Sequence, residues 1–352
     1  MCDSVNGAMK STGQITMRHV ADRAGVSYQT VSRVINDAAG VAPETRDRVL
    51  AAMHELNYRP SVAARSLARA RTDTIGLVLP FPVDVTFANA HFLQTVGGVD
   101  RVVAENDYSL LVSSPNDEDP ALSAHRRMAR QRAVDGVIVE AGMGDEGIEL
   151  LVEAGYPVVA IGHVAVAVPS VQPDDDSGAY GAMQHLLALG HRRIALIAGS
   201  SEANLAQRAR LRGCHRAFTD AGLTLDEGLV EAGEFSLESG YAAAGRLFDR
   251  AEPPTAILAF NDAMAIGAIQ LLRERGIDVP HEVSVVGFDD TPTAALLTPP
   301  LTTVRIFSSE LGQRAARTLI GMLRGTKVPP VPAVLPSQLV VRQSTAPAAR
   351  RG

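Results

Sequence analysis

Two short helices around a tight turn are written into Met17 to Asn36, MRHVADRAGVSYQTVSRVIN, and no other stretch narrows the possible folds so far. Met17, Val20, Ala21 and Ala24 share one helical face. Gly25 follows, the residue that enters a left-handed turn without steric cost. Ser27 is a good N-cap, and Val31, Val34 and Ile35 supply the apolar face of a second helix. Tyr28, Gln29 and Thr30 then fall in its first turn, with Ser32, Arg33 and Asn36 further along. A helical hairpin buried in a core has no packing use for an exposed Tyr-Gln-Thr start. A helix-turn-helix does, because its second helix offers that turn to base edges in a DNA major groove. Gln pairs with adenine N6 and N7, Arg with guanine O6 and N7, and Tyr adds an apolar edge with a hydroxyl. Ser27, Tyr28, Gln29, Thr30, Ser32, Arg33 and Asn36 are therefore the candidate DNA contacts.

The next segments fit that reading. Pro43 to Leu56 has the pattern of a third helix, with Val49, Leu50, Met53 and Leu56 inward and Pro43 at its first position. Ala42 takes the cap position, where it accepts no hydrogen bond and costs about 1 kcal/mol relative to Ser. Ser61 to Ala70 is short and alanine-rich, with Arg65, Arg69 and Arg71 around a lone Leu67. It is too short to be a stable helix alone. A segment that is helical only when docked on DNA, with Leu67 as an apolar wedge in the minor groove, fits it better than a solvated linker.

From Thr74 onward, apolar strands alternate with helices. The strand patterns are TIGLVLP (74–80), YSLLVSS (108–114), DGVIV (135–139), PVVAIG (157–162), RIALIAG (193–199), AILAF (256–260) and SVVGF (284–288). Helical stretches at 92–105, 122–132 and 178–189 lie between them. Continuous apolar strands separated by helices indicate parallel sheets covered on both faces. Two such arrays, beginning at Thr74 and Arg193, predict an α/β body of two doubly wound subdomains with a cleft between them.

The net charge of −6 looks wrong for a nucleic-acid partner until it is divided. Residues 10–71 carry ten Lys/Arg against five Asp/Glu, and the rest of the chain 23 against 34. Basic charge is thus concentrated where phosphates would be met, and the acidic body discourages indiscriminate binding. No run of eighteen apolar residues occurs, and Met1 to Gln14 lacks the apolar core of a signal peptide, so a cytoplasmic protein with no membrane partner is expected. Cys2 and Cys214 stand apart without metal or redox spacing and are expected to be reduced.

From about Ile15 to Gln343 the chain resembles the LacI/GalR family of bacterial transcription regulators. The helix-turn-helix above and ELNYRPSVAARSLA (55–68) carry the resemblance, and SYQTVSRV is especially close to the lactose repressor type. The resemblance implies that Leu67 enters the minor groove at the operator centre, and that half-sites are chemically lac-like. It implies a periplasmic-binding-protein-like body whose chain crosses between subdomains three times. The expected limits are a disordered extension at 1–14, a DNA-binding domain at 15–59 and a hinge at 60–73. The effector domain at 74–345 would consist of one subdomain at about 74–189 and 307–327 and another at about 190–306 and 328–345, with a tail at 346–352.

Ligands of such sheets bind beyond the C-terminal strand ends. Asn261 and Asp262 follow AILAF, and Asp289 and Asp290 follow SVVGF. The family places an Arg three residues before a Gly in the motif here reading RARLRG, which is Arg210. Arg beside carboxylate and amide groups offers bidentate hydrogen bonding to vicinal hydroxyls. Phe235 stands where the family offers a ring to a sugar face. Asn89-Ala90-His91-Phe92 takes the place of the family's Asn-Pro-Phe-Phe. The candidate effector contacts are Asn89, Phe92, Arg210, Phe235, Asn261 and Asp289, although by spacing alone one or more of Arg210, Asn261 and Asp289 is better explained as a helix cap or interlobe pair. Asp262 reads as a helix-start residue, and Asp290 as either.

Gly142 to Gly147 formally matches a dinucleotide fingerprint, but the acidic residue expected some twenty positions later is missing. Asp174, Asp175 and Asp176 read as an acidic helix start rather than a cation site. His185 and His191 have poor ligand spacing, and Gly190-His191 matches a structural turn of the family. No nucleophile elbow or phosphate loop occurs. No catalytic residue, metal or cofactor is expected, and the chain does not read as an enzyme. A helix-turn-helix with a hinge needs two copies to cover two half-sites, so a homodimer on near-palindromic double-stranded DNA is expected. After Gln343 no leucine heptad follows to build a tetramer bundle. Carbohydrate fits the cleft residues best as the small-molecule effector, a purine corepressor comes second, and a cytoplasmic sugar receptor third.

Overall fold

The chain divides after Asp73 into two units, Met1–Asp73 and Thr74–Gly352. The computed structural model describes residues 15–36, 38–58, 71–116, 122–142, 145–201 and 203–349. The expected disordered extension, Cys2, most of the hinge and Leu67 lie outside the described residues.

In the first unit, α1 (Met17–Ala24) ends at Gly25, whose φ of +65° makes the left-handed exit. Ser27 caps α2 (Tyr28–Ile35), and α3 (Pro43–Glu55) starts at Pro43 behind an Ala42 that makes no side-chain cap. Val20, Val31 and Val49 are fully buried where the three helices meet, with Ala21, Ala24, Val34 and Ala52 around them. Leu50 departs from the expected pattern. It is 49% exposed, and Ala52 takes the inward place, because the apolar stripe of α3 is only a few residues wide at this small core.

The second unit contains two six-stranded sheets. The first has the order β11-β5-β4-β3-β1-β2 and the second β12-β10-β9-β8-β6-β7. The seven strands expected from sequence are β1 (Thr74–Val78), β2 (Ser109–Ser113), β3 (Gly136–Glu140), β4 (Val158–Ile161), β6 (Ile194–Gly199), β8 (Ala256–Ala259) and β9 (Ser284–Asp289). Five more complete the sheets: β5 (Ser170–Pro173), β7 (Val230–Gly233), β10 (Thr302–Arg305), β11 (Pro332–Leu335) and β12 (Gln338–Val340). All pairs are parallel except β10 with β12.

Six helices matter for the cleft: α4 (Val83–Ala88), α5 (Ala90–Glu105), α8 (Asp175–Ala188), α9 (Leu205–Asp220), α11 (Asp262–Glu274) and α12 (Ser308–Leu323). Between them run α6 (Ser123–Gln131), α7 (Glu146–Glu153) and α10 (Leu237–Phe248). Paired helices approach closely wherever glycine removes a side chain. A Cβ at Gly213 of α9 would lie 2.2 Å from the Asp176 carbonyl of α8, and one at Gly312 of α12 would lie 2.2 Å from the Thr95 carbonyl of α5.

Two expected subdomain limits are corrected. The first crossing falls at 174, not 189, because α8 buries Ala179, Ala182, Met183 and Leu186 in the core of the second sheet. The last falls at 336–337, not 327, because β11 pairs with β5 in the first sheet before β12 joins the second. The stretch read as a tail is also partly bound. The Ala348 amide donates to Leu189 and the Ala346 amide to Ser284 Oγ. His191 serves the same seam, with Nδ1 3.0 Å from Thr255 Oγ1 and Nε2 3.0 Å from the Ala346 carbonyl.

Candidate functional site

The exposed tip of α2 is the first candidate surface. Ser27 Oγ accepts from the Thr30 amide at 3.1 Å and lies 2.9 Å from Thr30 Oγ1, so these two residues hold the turn. Tyr28 and Gln29 project from it, Tyr28 being 48% exposed. Arg33 is exposed one turn on, its Nη2 donating to the Ala39 carbonyl at 2.7 Å. Asn36 Nδ2 donates to Ser32 Oγ at 3.4 Å. Tyr28, Gln29 and Arg33 are therefore the side chains presented outward, while Ser27, Thr30, Ser32 and Asn36 also build the turn that presents them.

The second candidate is a cleft lying between the C-terminal strand ends of the two sheets. All six candidate effector residues line it: Asn89 and Phe92 from the first lobe, and Arg210, Phe235, Asn261 and Asp289 from the second. Its cavity volume is about 120 Å³.

Each residue has a local reason for its place. Asn89 caps α5, its Oδ1 accepting from the His91 amide at 3.0 Å. Asn261 caps α11 by accepting from the Met264 amide at 2.9 Å, and its Nδ2 donates to the Phe235 carbonyl at 2.8 Å. That second bond braces Phe235, whose backbone is left-handed at φ +57°. Asp289 ends β9 at φ +108°, a conformation that costs a non-glycine residue of order 1–3 kcal/mol and tends to occur at ligand sites. Phe92 meets Phe81 edge-on at 5.9 Å, so Phe81 supplies an aromatic wall although the motif at 89–92 has only one Phe.

Arg210 is buried on α9, with its guanidinium 3.8 Å above the Phe288 ring. Its Nε donates to Asp175 Oδ1 at 2.7 Å and its Nη1 to the Phe260 carbonyl. The other oxygen of Asp175 lies 2.7 Å from Nε2 of His163, which follows β4 in the first lobe. Burial alone would raise the Asp175 pKa, but Arg210 and His163 outweigh it and hold the carboxyl below its usual range. Of the acidic helix start, Asp174 is the cap, accepting from the Ser177 amide, while Asp175 ties the lobes together.

A second charged group spans the floor. His91 Nδ1 is 2.8 Å from Ser308 Oγ, and its Nε2 is 3.6 Å from Glu140 Oε1. Burial works against the charged imidazole, yet Glu140 and Asp289 raise its pKa overall. Burial raises Glu140, with His91 opposing. Asp289 is lifted to about 6, chiefly by burial, against the pull of His91 and Arg210. Asp262 is the first residue of α11, but it is more than a helix start. Buried, it accepts from the Thr291 amide and hydroxyl at 2.7 and 2.9 Å and from Thr303 Oγ1 at 2.5 Å. Asp290 faces away, paired with Arg305 and Arg342 at 2.6 Å each.

Phe81, His91, Glu140, His163, Asp175 and Gln207 line the cleft but were not among the candidates. Glu140 and His163 sit at or just past the C-terminal ends of β3 and β4, where the strand-end rule applied to every strand would have found them. Gln207 carries no sequence signal. The dinucleotide-like loop has a structural use, since Asp145 accepts from the Ala165 and Val166 amides at 2.6 and 3.2 Å.

Residues 16–61 match the family model "Bacterial regulatory proteins, lacI family", and residues 183–345 match "Periplasmic binding protein-like domain". The chain is 37% identical to the transcriptional regulator DegA of Bacillus subtilis, over 94% of this chain and 98% of that protein. It is also 37% identical to the regulator CelR of Thermobifida fusca, over 94% and 98%. Among solved structures, a lac repressor dimer bound to operator and the anti-inducer ONPF is 31% identical, covers 94% of this chain and 99% of its own, and has a TM-score of 0.83. A CelR–cellobiose complex is 35% identical, with the same coverage and a TM-score of 0.72.

Proposed function

The chain belongs to the lacI family of bacterial regulatory proteins, transcription regulators rather than enzymes, and from that premise we propose a repressor that binds a near-palindromic operator as a dimer and is released or recruited by a saccharide in the interlobe cleft. The observation that carries the effector half is the convergence of Arg210, Asn261, Asp289 and Phe235 with Asn89 and Phe92 in one cleft. A guanidinium, an amide and a carboxylate beside aromatic faces match the donors, acceptors and apolar C–H face of a sugar. Val83 and Phe87, four residues apart on α4, are 46% and 43% exposed, and this apolar pair is suited to contact with a second copy.

Regulation follows from differential affinity. A sugar touching both lobes favours one lobe arrangement, and operator affinity changes only as far as the two arrangements differ in their affinity for it. The test is fluorescence anisotropy of the full chain on duplexes selected from random DNA, across a salt series and then with a saccharide and purine panel. A steep salt slope and a sugar-dependent shift in affinity are expected. A slope near zero removes the DNA reading, and a response to purines alone removes the carbohydrate one.

A further inference from the structure

The charges in the cleft constrain the effector beyond its class. Three carboxylates, Glu140, Asp175 and Asp289, line it against a single guanidinium, since Arg210 is the only Arg or Lys among the described lining residues. Two of its five N–H donors go to Asp175 and the Phe260 carbonyl. Glu140 and Asp289 remain, one from each lobe, and His91 lies beside Glu140 with its Nε2 3.6 Å from Oε1. Asp289 lines the same wall, nearly buried at 8% exposure, with His91 and Arg210 as the groups that draw its carboxyl toward the charged form. Oε1 of Gln207, a residue 7% exposed on the cleft wall, has no hydrogen-bond partner among the described residues. Gly199 makes room for that amide: a Cβ there would lie 2.3 Å from Gln207 Oε1 and 2.6 Å from the Phe235 ring. Buried acceptors without donors are costly, and a ligand rich in hydroxyl donors satisfies them.

We propose that the effector is an uncharged saccharide, and that Glu140, positioned by His91, is the specificity-determining residue that rejects phosphorylated and carboxylated sugars. This rests on the carbohydrate reading above. Neutral hydroxyls donate to Glu140, Asp289 and Gln207. A phosphate ester instead brings about −1.5 to −2 charges and acceptor oxygens into a space where carboxylates outnumber the guanidinium, which Asp175 already pairs. One pair of unit like charges about 5 Å apart at an effective dielectric near 20 discriminates by on the order of 100-fold, and the extra charge of an ester adds to it.

The experiment is a thermal-shift and calorimetric comparison on the full chain. Glucose, galactose, ribose and cellobiose are tested beside glucose 6-phosphate, galactose 6-phosphate, ribose 5-phosphate, glucuronate, inorganic phosphate and a purine set. The phosphate ester of any sugar that binds is expected to bind at least about 100-fold more weakly than its parent, and inorganic phosphate to give no shift. Glu140→Gln should narrow that gap at least tenfold, and Asp289→Asn should narrow it too. An ester that binds wild type as tightly as its parent overturns the proposal, whatever the variants do. An unchanged gap in a folded Glu140→Gln protein removes the assignment to Glu140. Stabilisation by purines alone, with no neutral sugar active, brings down the carbohydrate reading itself and is distinguishable from both.

Discussion

Replacing Asp289 by Asn should make the empty protein more stable and the ligand site weaker. Burial lifts the Asp289 carboxyl from 3.8 to about 6, and its neighbour Asp262 reaches about 7 through burial and the Asp289 charge. A carboxyl raised on folding contributes its full stability below its unfolded value and loses it as pH rises through the folded one. At 1.36 kcal/mol per tenfold, the ionised Asp289 therefore costs about 3 kcal/mol above pH 6. A carboxamide has its own desolvation cost, so a net gain of about 2 kcal/mol is expected for Asp289→Asn at pH 8. In a unit of this size that corresponds to roughly 4 °C in Tm. Calorimetric scans from pH 4 to pH 8 should show the advantage growing with pH and vanishing near pH 4. A variant less stable than wild type at pH 8, or one equally favoured at both ends, refutes the electrostatic reasoning. Calorimetry with the best saccharide should show the opposite sign, with affinity at least tenfold lower.

Three further outcomes are expected. Ala42→Ser should supply the missing cap of α3 and stabilise the helical unit by about 1 kcal/mol, read as a higher urea midpoint for residues 15–58 by amide exchange. Gln29→Ala and Arg33→Ala should each remove about 1–3 kcal/mol of affinity for the selected duplex while leaving random-duplex affinity and its salt slope nearly unchanged. Gly213→Ala should lower the melting temperature of the second unit, since its methyl meets the Asp176 carbonyl at 2.2 Å and α8 and α9 must separate, at a cost of about 1–3 kcal/mol.

Much of this architecture is legible in the chain, and the failures share physical causes. The central strands β1, β3, β4, β6, β8 and β9 are buried on both faces, so their apolar runs stand out. The five strands missed lie toward the sheet edges, and three or four residues such as those of β10 or β11 carry too few apolar positions to register. The lobe boundary at 174 is hidden because α8 follows β5 without a break, and only packing decides which core receives its apolar face. In the cleft, Arg210, Asn261 and Asp289 follow from strand ends and motif. Gln207 and His91 depend on which lobe faces which, and that is a tertiary fact. Asn261 further shows why spacing leaves alternatives open: it is both a helix cap and a cleft residue.

The strand orders carry one more consequence. The chain leaves the first sheet from β5 and β11, which are neighbours, and meets the second at β10 and β12, also neighbours. All three connectors therefore gather along the same margin of the two sheets, far from β2 and β7. A shell whose chain connections all run along its back gapes at its front once the Asp175–His163 tie lets go. Effector entry and exit belong on the β2 and β7 side, and a disulfide stapled across that lip should trap a bound sugar or keep one out.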